Sequence, residues 1–223
     1  MTTAMSPAEM RAWIISHLDP IESYDPSARA MHSDFDSMGG VPADVTLKPA
    51  AVLVPLVEHA AGLTVLLTRR ADTLRAHTGQ VAFPGGRCDP GETPWETALR
   101  EAQEEIGLDP GCVTLAGLST RYQTLSGFDI IPVVAFVRPG FTLRPNPSEV
   151  ADVFETPFAF LMDPANHERR SRETSDGMRR HFYAMPHRGQ LIWGVTAGML
   201  RILYERLYGS PDPQWAQEAA DHG

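Results

Sequence analysis

The stretch from residue 86 to residue 108 constrains the fold more than any other, because its sequence defines both ends of a helix. Thr93 can be the N-cap, Pro94 fits the first helical position, and Glu96 stands three residues after the cap to complete a capping box. Gly107 is suited to end the helix in a left-handed conformation. One side of the helix is apolar, which favours packing on a β-sheet. That side carries Trp95, Ala98, Leu99, Ala102 and Ile106.

Three glutamates fall together on another side of the same helix. Glu101, Glu104 and Glu105 are neighbours there, because positions three and four apart lie side by side on a helix. Carboxylates this close repel one another, and a bound Mg²⁺ or Mn²⁺ would convert the repulsion into ligation, since hard cations bind carboxylate and phosphate oxygens together. The alternative is an ordinary solvated acidic helix face. Arg100 follows Glu92 by eight residues, so this pair can brace the helix against the loop before it.

The spacing of the whole stretch resembles the Nudix box, and only Ala102 is smaller than the aliphatic residue that the family more often carries there. The fixed positions are Gly86, Glu92, Arg100, Glu101, Glu104, Glu105 and Gly107. The resemblance implies metal-assisted attack of water on phosphorus in a nucleoside diphosphate linked to another group. It also implies that the cofactor is Mg²⁺ or Mn²⁺.

The same resemblance suggests roles for single residues. Glu101 and Glu105 are the first choices as metal ligands, with Glu104 as a third ligand or as the general base. In the family, the carbonyl oxygen at the position of Gly86 often joins the metal shell. Nudix enzymes often draw a further carboxylate from the region after the box, and Glu149 is the candidate here, as ligand or base. The alternative for Glu149 is a surface or helix-dipole carboxylate.

The segment before the box is basic, since residues 69 to 87 carry four arginines and one aspartate. Guanidinium groups bind phosphate through short, charge-assisted hydrogen bonds, so this segment complements the acidic helix. Any single arginine could instead pair with a nearby carboxylate, and a histidine there could equally be a hydrogen-bonded loop anchor. The candidate substrate-binding residues are Arg70, Arg75, His77 and Gln80.

This basic segment carries a second and more specific resemblance, to the coenzyme A diphosphatase branch of the Nudix family. The matching positions are Leu66, Leu67, Thr68, Arg70, Ala71, Arg75, Gly79, Phe83, Pro84, Gly85 and Gly86. The implied reaction converts coenzyme A and water into 4′-phosphopantetheine and adenosine 3′,5′-bisphosphate. Two alternatives stay open: a Nudix hydrolase of ADP-ribose, NADH or an oxidised nucleotide, and a non-catalytic module that senses nucleotides.

Hydrophobic patterning predicts the secondary structure of the rest of the chain. Strands are expected over residues 50–58, 62–68, 112–118 and 128–137, with Pro132 at an edge or bulge. Shorter strands are expected over 180–185 and 190–193, and a core-packing helix over 195–207. The fold class is α+β, an α/β/α sandwich with a mixed sheet and a loop–helix–loop metal and diphosphate site. The predicted parts are an N-terminal helix and linker (1–46), the Nudix domain (47–208) and a tail (209–223).

Composition limits the partners. A formal net charge of −9 argues against nucleic-acid binding, which favours a basic surface, and leaves a small anionic substrate as the expected partner. Two cysteines are too few for a disulfide framework. The sequence shows no signal-peptide pattern and no apolar run of membrane-spanning length, so a cytoplasmic protein without membrane association is expected. The sequence carries no signal for oligomeric state.

Overall fold

The computed structural model describes residues 5–28, 30, 32–34, 41–42, 45–71, 79–173 and 179–209. The helices in these ranges are α1 (Pro7–Ser16), α2 (Pro94–Ile106), α3 (Phe158–Leu161) and α4 (Val195–Tyr208). The strands are β1 (His32–Ser33), β2 (Lys48–His59), β3 (Gly62–Arg70), β4 (Val81–Ala82), β5 (Gly85–Arg87), β6 (Val113–Leu118), β7 (Tyr122–Gln123), β8 (Phe128–Val137), β9 (Val150–Pro157), β10 (Glu168–Glu173), β11 (Arg179–His187) and β12 (Gln190–Trp193). Asp176 and Gly177, whose sequence favours a turn, lie outside the described residues.

The main sheet is mixed. Its order is β1-β7-β8-β2-β3-β4, with β5 also paired to β2, β6 to β8 and β9 to β3. The long central strands β2 and β8 run parallel, whereas β2 and β3 form an antiparallel hairpin. A second, antiparallel sheet contains β10, β11 and β12 in that order.

Both faces of the main sheet are buried under helices. Alternate side chains of β8 belong to different cores, because successive residues of a strand point to opposite faces. Val134 and Phe136 join the core formed with α1, α3 and α4, whereas Val133, Ala135 and Val137 join the core formed with α2. The predicted α/β/α sandwich with a mixed sheet is therefore confirmed.

The predicted ends of α2 are confirmed, and the N-terminal helix α1 begins with a cap of the same kind. Ser6 and Glu9 form a capping box at α1, and Thr93 and Glu96 form one at α2. Gly107 ends α2 with φ 68° and ψ 24°, a left-handed conformation that glycine adopts at low cost. The predicted core-packing helix is α4, and it is buried around most of its circumference.

Pro132 does not lie at an edge. It sits inside β8, opposite Val52 of β2, so the prediction of an edge position is wrong. On its other side the neighbour of β8 changes from β7, paired at Ile130, to β6, paired from Val133 onward. The carbonyl of Pro132 accepts a hydrogen bond from the Ser119 N–H at 2.9 Å. The missing proline N–H therefore falls where the ladder is interrupted, which is why an interior strand tolerates it.

The described part of the N-terminal linker is bound to the domain. Arg121 donates to the carbonyl oxygens of Pro26 at 3.0 Å and Ala28 at 2.6 Å. The Tyr122 hydroxyl donates to Asp34 at 2.6 Å, just after β1 joins β7. The segment lies on the domain surface through these contacts, and the proposed boundary at residue 46 stays a prediction. Of the helices that the structure describes, none combines the length and apolar character needed to cross a membrane.

Candidate active site

The site is formed where β5 runs alongside α2. β5 pairs with β2, with Gly85 opposite Val52 and Gly86 opposite Ala51. A Cβ atom added to Gly86 would lie 2.4 Å from the Oε1 atom of Glu101. A Cβ atom on Gly85 would lie 2.4 Å from the carbonyl oxygen of Ala51. Both glycines are therefore required by close approach, Gly86 to a carboxylate of the helix and Gly85 to the backbone of the sheet.

Arg100 joins the helix to the loop before it. Its guanidinium donates to both carboxylate oxygens of Glu92, from Nε at 2.7 Å and Nη2 at 3.0 Å, and Nη2 also donates to the Arg87 carbonyl at 3.2 Å. Glu92 accepts further bonds from the Asp89 N–H at 3.0 Å and the Thr97 hydroxyl at 2.8 Å. These bonds, with those from Arg100 the largest, lower the pKa of Glu92 from 4.5 to about 2. Glu92 is thus an ionised brace.

Thr97 is a residue of this brace that sequence reasoning missed. Its side chain is fully buried and donates to Glu92. A signal was present, because Thr97 and Arg100 are three residues apart and share one face of α2.

The three helix glutamates have different environments. Glu105 is 5% exposed and accepts a hydrogen bond from the Gly85 N–H at 3.3 Å. The Glu101 side chain is 17% exposed and lies against Gly86, with Arg100 Nη1 at 2.9 Å. Glu104 points outward, 59% exposed, although Arg100 Nη1 also reaches it at 3.1 Å. Glu101 and Glu105 therefore form the inner pair of the predicted triad.

Burial disfavours ionisation of these two inner carboxyl groups. Burial is the largest cause that raises the pKa of Glu105 from 4.5 to about 7, and the charges of Glu101 and Glu149 raise it further. Its bond from Gly85 and the nearby charge of Arg70 act in the opposite direction. Burial also raises the pKa of Glu101, against the lowering effect of Arg100. A cation bound beside the two groups would offset this cost.

Three further predicted residues lie at the edge of the same site. Arg70 ends β3, and its N–H donates to the Gln80 carbonyl at 2.9 Å. Glu149 stands just before β9, whose Val150 pairs with Arg70. Glu149 is half-buried, and its charge influences the pKa of both Glu101 and Glu105. The predicted residues Arg75 and His77 lie outside the described residues.

The side chains present fit a hard divalent ion. The available metal ligands are carboxylate oxygens, which Mg²⁺ and Mn²⁺ prefer. The close approach of Glu101 to Gly86 also places the backbone of Gly86 beside the Glu101 carboxylate. In the described part of the chain, no three acidic, histidine or cysteine side chains already converge at metal-ligand spacing. The hydrogen bonds to Arg100 and Gly85 account for this, because each of the three helix glutamates is directed toward one of these donors.

An acidic helix braced by the ion pair of Arg100 with Glu92 and faced by the two glycines of β5, on an α/β/α sandwich, is the arrangement expected of a hydrolase of phosphorus anhydrides. The NUDIX domain family matches residues 47–176. Two similar proteins are both described as an uncharacterized Nudix hydrolase NudL. The one from Pectobacterium atrosepticum is 39% identical over 170 residues, covering 74% of this chain and 85% of the relative. The one from Yersinia enterocolitica is 38% identical over 159 residues, covering 71% and 80%.

The chain therefore belongs to the Nudix family, and it is a Nudix hydrolase. Nudix hydrolases act on nucleoside diphosphate derivatives and generally use divalent ions such as Mg²⁺ or Mn²⁺. Among solved structures, the MutT protein from Methanosarcina mazei is 18% identical, with a TM-score of 0.46 over 74% of this chain and 96% of that one.

The two glycines of β5 give the first testable prediction. Gly86→Ala is expected to lower kcat about tenfold or more with little change in the thermal midpoint, because its methyl group displaces the movable Glu101 carboxylate. Gly85→Ala is expected to lower the thermal midpoint instead, since its methyl group meets backbone and overpacking costs about 1–3 kcal/mol. Steady-state kinetics and thermal unfolding of both variants test this. Equal effects of the two variants on both measurements would contradict the assignment.

Proposed function

We propose that this protein hydrolyses the diphosphate bond of coenzyme A or its derivatives, giving 4′-phosphopantetheine and adenosine 3′,5′-bisphosphate. The observation that carries the proposal concerns Arg70, a fixed position of the motif that resembles the coenzyme A branch. Its Nε atom is buried and has no hydrogen-bond partner among the described residues, and its charge acts on Glu105. A buried guanidinium N–H without an acceptor is costly, and a phosphate oxygen of the substrate would satisfy it.

The charge of the substrate supports the same assignment. Coenzyme A carries a diphosphate and a separate 3′-phosphate, so it requires more cationic donors than a dinucleotide without that group. The basic segment from residue 69 to residue 87 supplies four arginines next to the acidic helix. We assign Arg70, Arg75, His77 and Gln80 to substrate binding, and the first and last of these are joined by the bond from the Arg70 N–H to the Gln80 carbonyl.

The helix glutamates and Glu149 have separate roles in this proposal. Glu101, Glu105 and the carbonyl oxygen of Gly86 would hold the ion, and a bound ion would polarise the diphosphate and neutralise charge that develops in the transition state. Glu104 and Glu149 are the two candidates for the base that removes a proton from the attacking water. The half-burial of Glu149 and its influence on Glu101 and Glu105 support it, whereas Glu104 is mostly exposed.

The proposal also includes the binding partner and the cellular location of the protein. The partner is a small anionic nucleotide, with no nucleic acid and no membrane. A reducing cytoplasmic location belongs to the proposal, supported by two free cysteines. Burial raises the pKa of the Cys88 thiol, which favours its unreactive protonated form.

Mass spectrometry of products formed from coenzyme A with Mn²⁺, and with a chelator as control, tests the proposal. The matched substrate is 3′-dephospho-coenzyme A, which keeps the diphosphate and lacks the 3′-phosphate. With coenzyme A we expect both 4′-phosphopantetheine and adenosine 3′,5′-bisphosphate. For the dephospho compound we expect a kcat/KM at least about tenfold lower, since one charge-assisted phosphate contact contributes about 1.5–3 kcal/mol. Faster cleavage of ADP-ribose or NADH would reassign the substrate. No metal-dependent cleavage of any of these compounds would favour a nucleotide-sensing module.

A further inference from the structure

A four-residue turn lies between the loop after β8 and the start of β9. The Oδ1 atom of Asn146 accepts hydrogen bonds from the Ser148 N–H at 3.2 Å and from the Ser148 hydroxyl at 2.7 Å. The main-chain carbonyl of Asn146 accepts from the N–H groups of Glu149 at 3.0 Å and Val150 at 2.8 Å. Asn146 thus organises the turn that delivers Glu149, through its side chain and through its backbone.

The same residue is bound to the end of the acidic helix. The Asn146 N–H donates to the Glu105 carbonyl at 2.8 Å, and the Arg144 N–H donates to the Ile106 carbonyl at 2.7 Å. The last carbonyl oxygens of a helix have no donor within it, and these two N–H groups supply the missing donors. A Cβ atom on Gly107 would lie 3.0 Å from the Arg144 N and Cβ atoms, which shows how closely the loop follows the helix end.

On the other side, Glu149 is bound to the basic segment. Its carbonyl accepts from the Ala71 N–H at 2.8 Å, and the adjacent Arg70 N–H donates to Gln80 at 2.9 Å. Ala71 is therefore bound to Glu149 directly, and Gln80 is bound to the residue that precedes Ala71. Between Arg69 and Arg70 the register opposite β9 shifts from Asp152 to Val150, which leaves Ala151 as a bulge. A bulge beside a site redirects the side chains that precede it.

These bonds form one path from the carbonyl of Glu105, through Asn146 and Glu149, to Ala71. The charge of Glu149 raises the pKa of both Glu101 and Glu105, so the path joins two residues, Glu105 and Glu149, whose carboxyl groups interact. We propose that Asn146 is a positioning residue, which holds Glu149 toward the helix glutamates and keeps Arg70 and Ala71 in register with them. This inference rests on the proposed function, because it assigns Glu149 a part in the hydrolysis.

The chain offers a matched control for Asn146→Ala. Asp25 makes the same pair of bonds, accepting from the Ser27 N–H at 2.8 Å and the Ser27 hydroxyl at 2.7 Å. The Asp25 turn is bound to Arg121, through the carbonyls of Pro26 and Ala28, and not to the end of α2. Asp25→Ala therefore removes an equivalent turn without disturbing the path to Glu149.

We expect Asn146→Ala to lower kcat about tenfold or more, with KM within about twofold, because a misplacement of about 1 Å can slow a reaction by about a hundredfold. Asp25→Ala is expected to keep both constants within about twofold of the parent protein. Asn146→Asp retains the acceptor and is expected to recover most of kcat. A kcat for Asn146→Ala equal to that of Asp25→Ala, or an Asn146→Asp variant as slow as Asn146→Ala, would overturn the proposal.

Amide hydrogen exchange of the metal-free protein gives a readout that needs no substrate. Exchange at Ala71 and Glu149 is expected to accelerate in Asn146→Ala and to stay unchanged in Asp25→Ala. Unchanged exchange at both amides in Asn146→Ala would also refute the positioning role. If the parent protein cleaves ADP-ribose and not coenzyme A, the substrate assignment fails by itself, and the kinetic comparison is made with ADP-ribose.

Discussion

Glu105→Gln is expected to lower kcat/KM for the diphosphate substrate about a thousandfold or more, a loss of about 4 kcal/mol of transition-state stabilisation. Glutamine has nearly the same shape, and its side-chain oxygen can keep the bond from the Gly85 N–H. The negative charge beside Glu101 disappears, however, and with it a ligand that hard cations prefer. Steady-state kinetics over a range of Mn²⁺ concentrations measure the loss and show whether excess metal restores part of it.

The matched control is Glu96→Gln on the same helix. Glu96 is exposed and closes the capping box with Thr93, a role that glutamine also performs. This variant is expected to keep kcat/KM within about twofold. Glu104→Gln separates the two candidate bases: a large fall in kcat would assign the proton transfer to Glu104, and a small one would leave it to Glu149. Near-normal turnover of Glu105→Gln would show that Glu105 is not a ligand.

The parts of the site that could be predicted from the sequence are those that depend on short-range hydrogen bonds. The caps of α2 join residues three or four positions apart, and the pair of Glu92 and Arg100 joins a helix to the loop directly before it. Helical periodicity also separates the apolar side of α2 from its glutamates. These contacts depend little on the rest of the fold, so the spacing of the residues in the sequence is sufficient to predict them.

The remaining parts depend on strand pairing between distant residues. No sequence signal predicts β9, because it carries two exposed acidic residues, Asp152 and Glu155, and its partner β3 lies about eighty to ninety residues earlier in the chain. This pairing brings Arg70 and Glu149 to the same place, where the Ala71 N–H donates to the Glu149 carbonyl. Strand β10 is polar and exposed along its whole length, so it lacks the alternation on which strand prediction relies.

Metal-free protein is expected to lose stability as the pH rises from about 4.5 to about 7, because of Glu105. In the unfolded chain this carboxyl group ionises near its ordinary value of 4.5, whereas in the folded protein it holds its proton up to about 7. Between these values the folded state binds more protons, so the free energy of unfolding falls with pH. The difference between the two pKa values corresponds to about 3 kcal/mol, fully lost above about pH 7.

Other groups titrate in the same range, so the test compares the parent protein with Glu105→Gln. Burial lowers the pKa of His167, a group that changes stability in the opposite direction below its ordinary value of 6.5, and this effect is common to both proteins. In urea unfolding with a chelator, the two proteins are expected to agree near pH 4.5, while the variant is about 3 kcal/mol more stable near pH 8. Added Mg²⁺ is expected to stabilise the parent protein near pH 8 and not the variant, because only the ionised carboxylate binds the ion. Parallel pH profiles for the two proteins would contradict the prediction, because they would mean that burial does not raise the pKa of Glu105 in the metal-free folded protein.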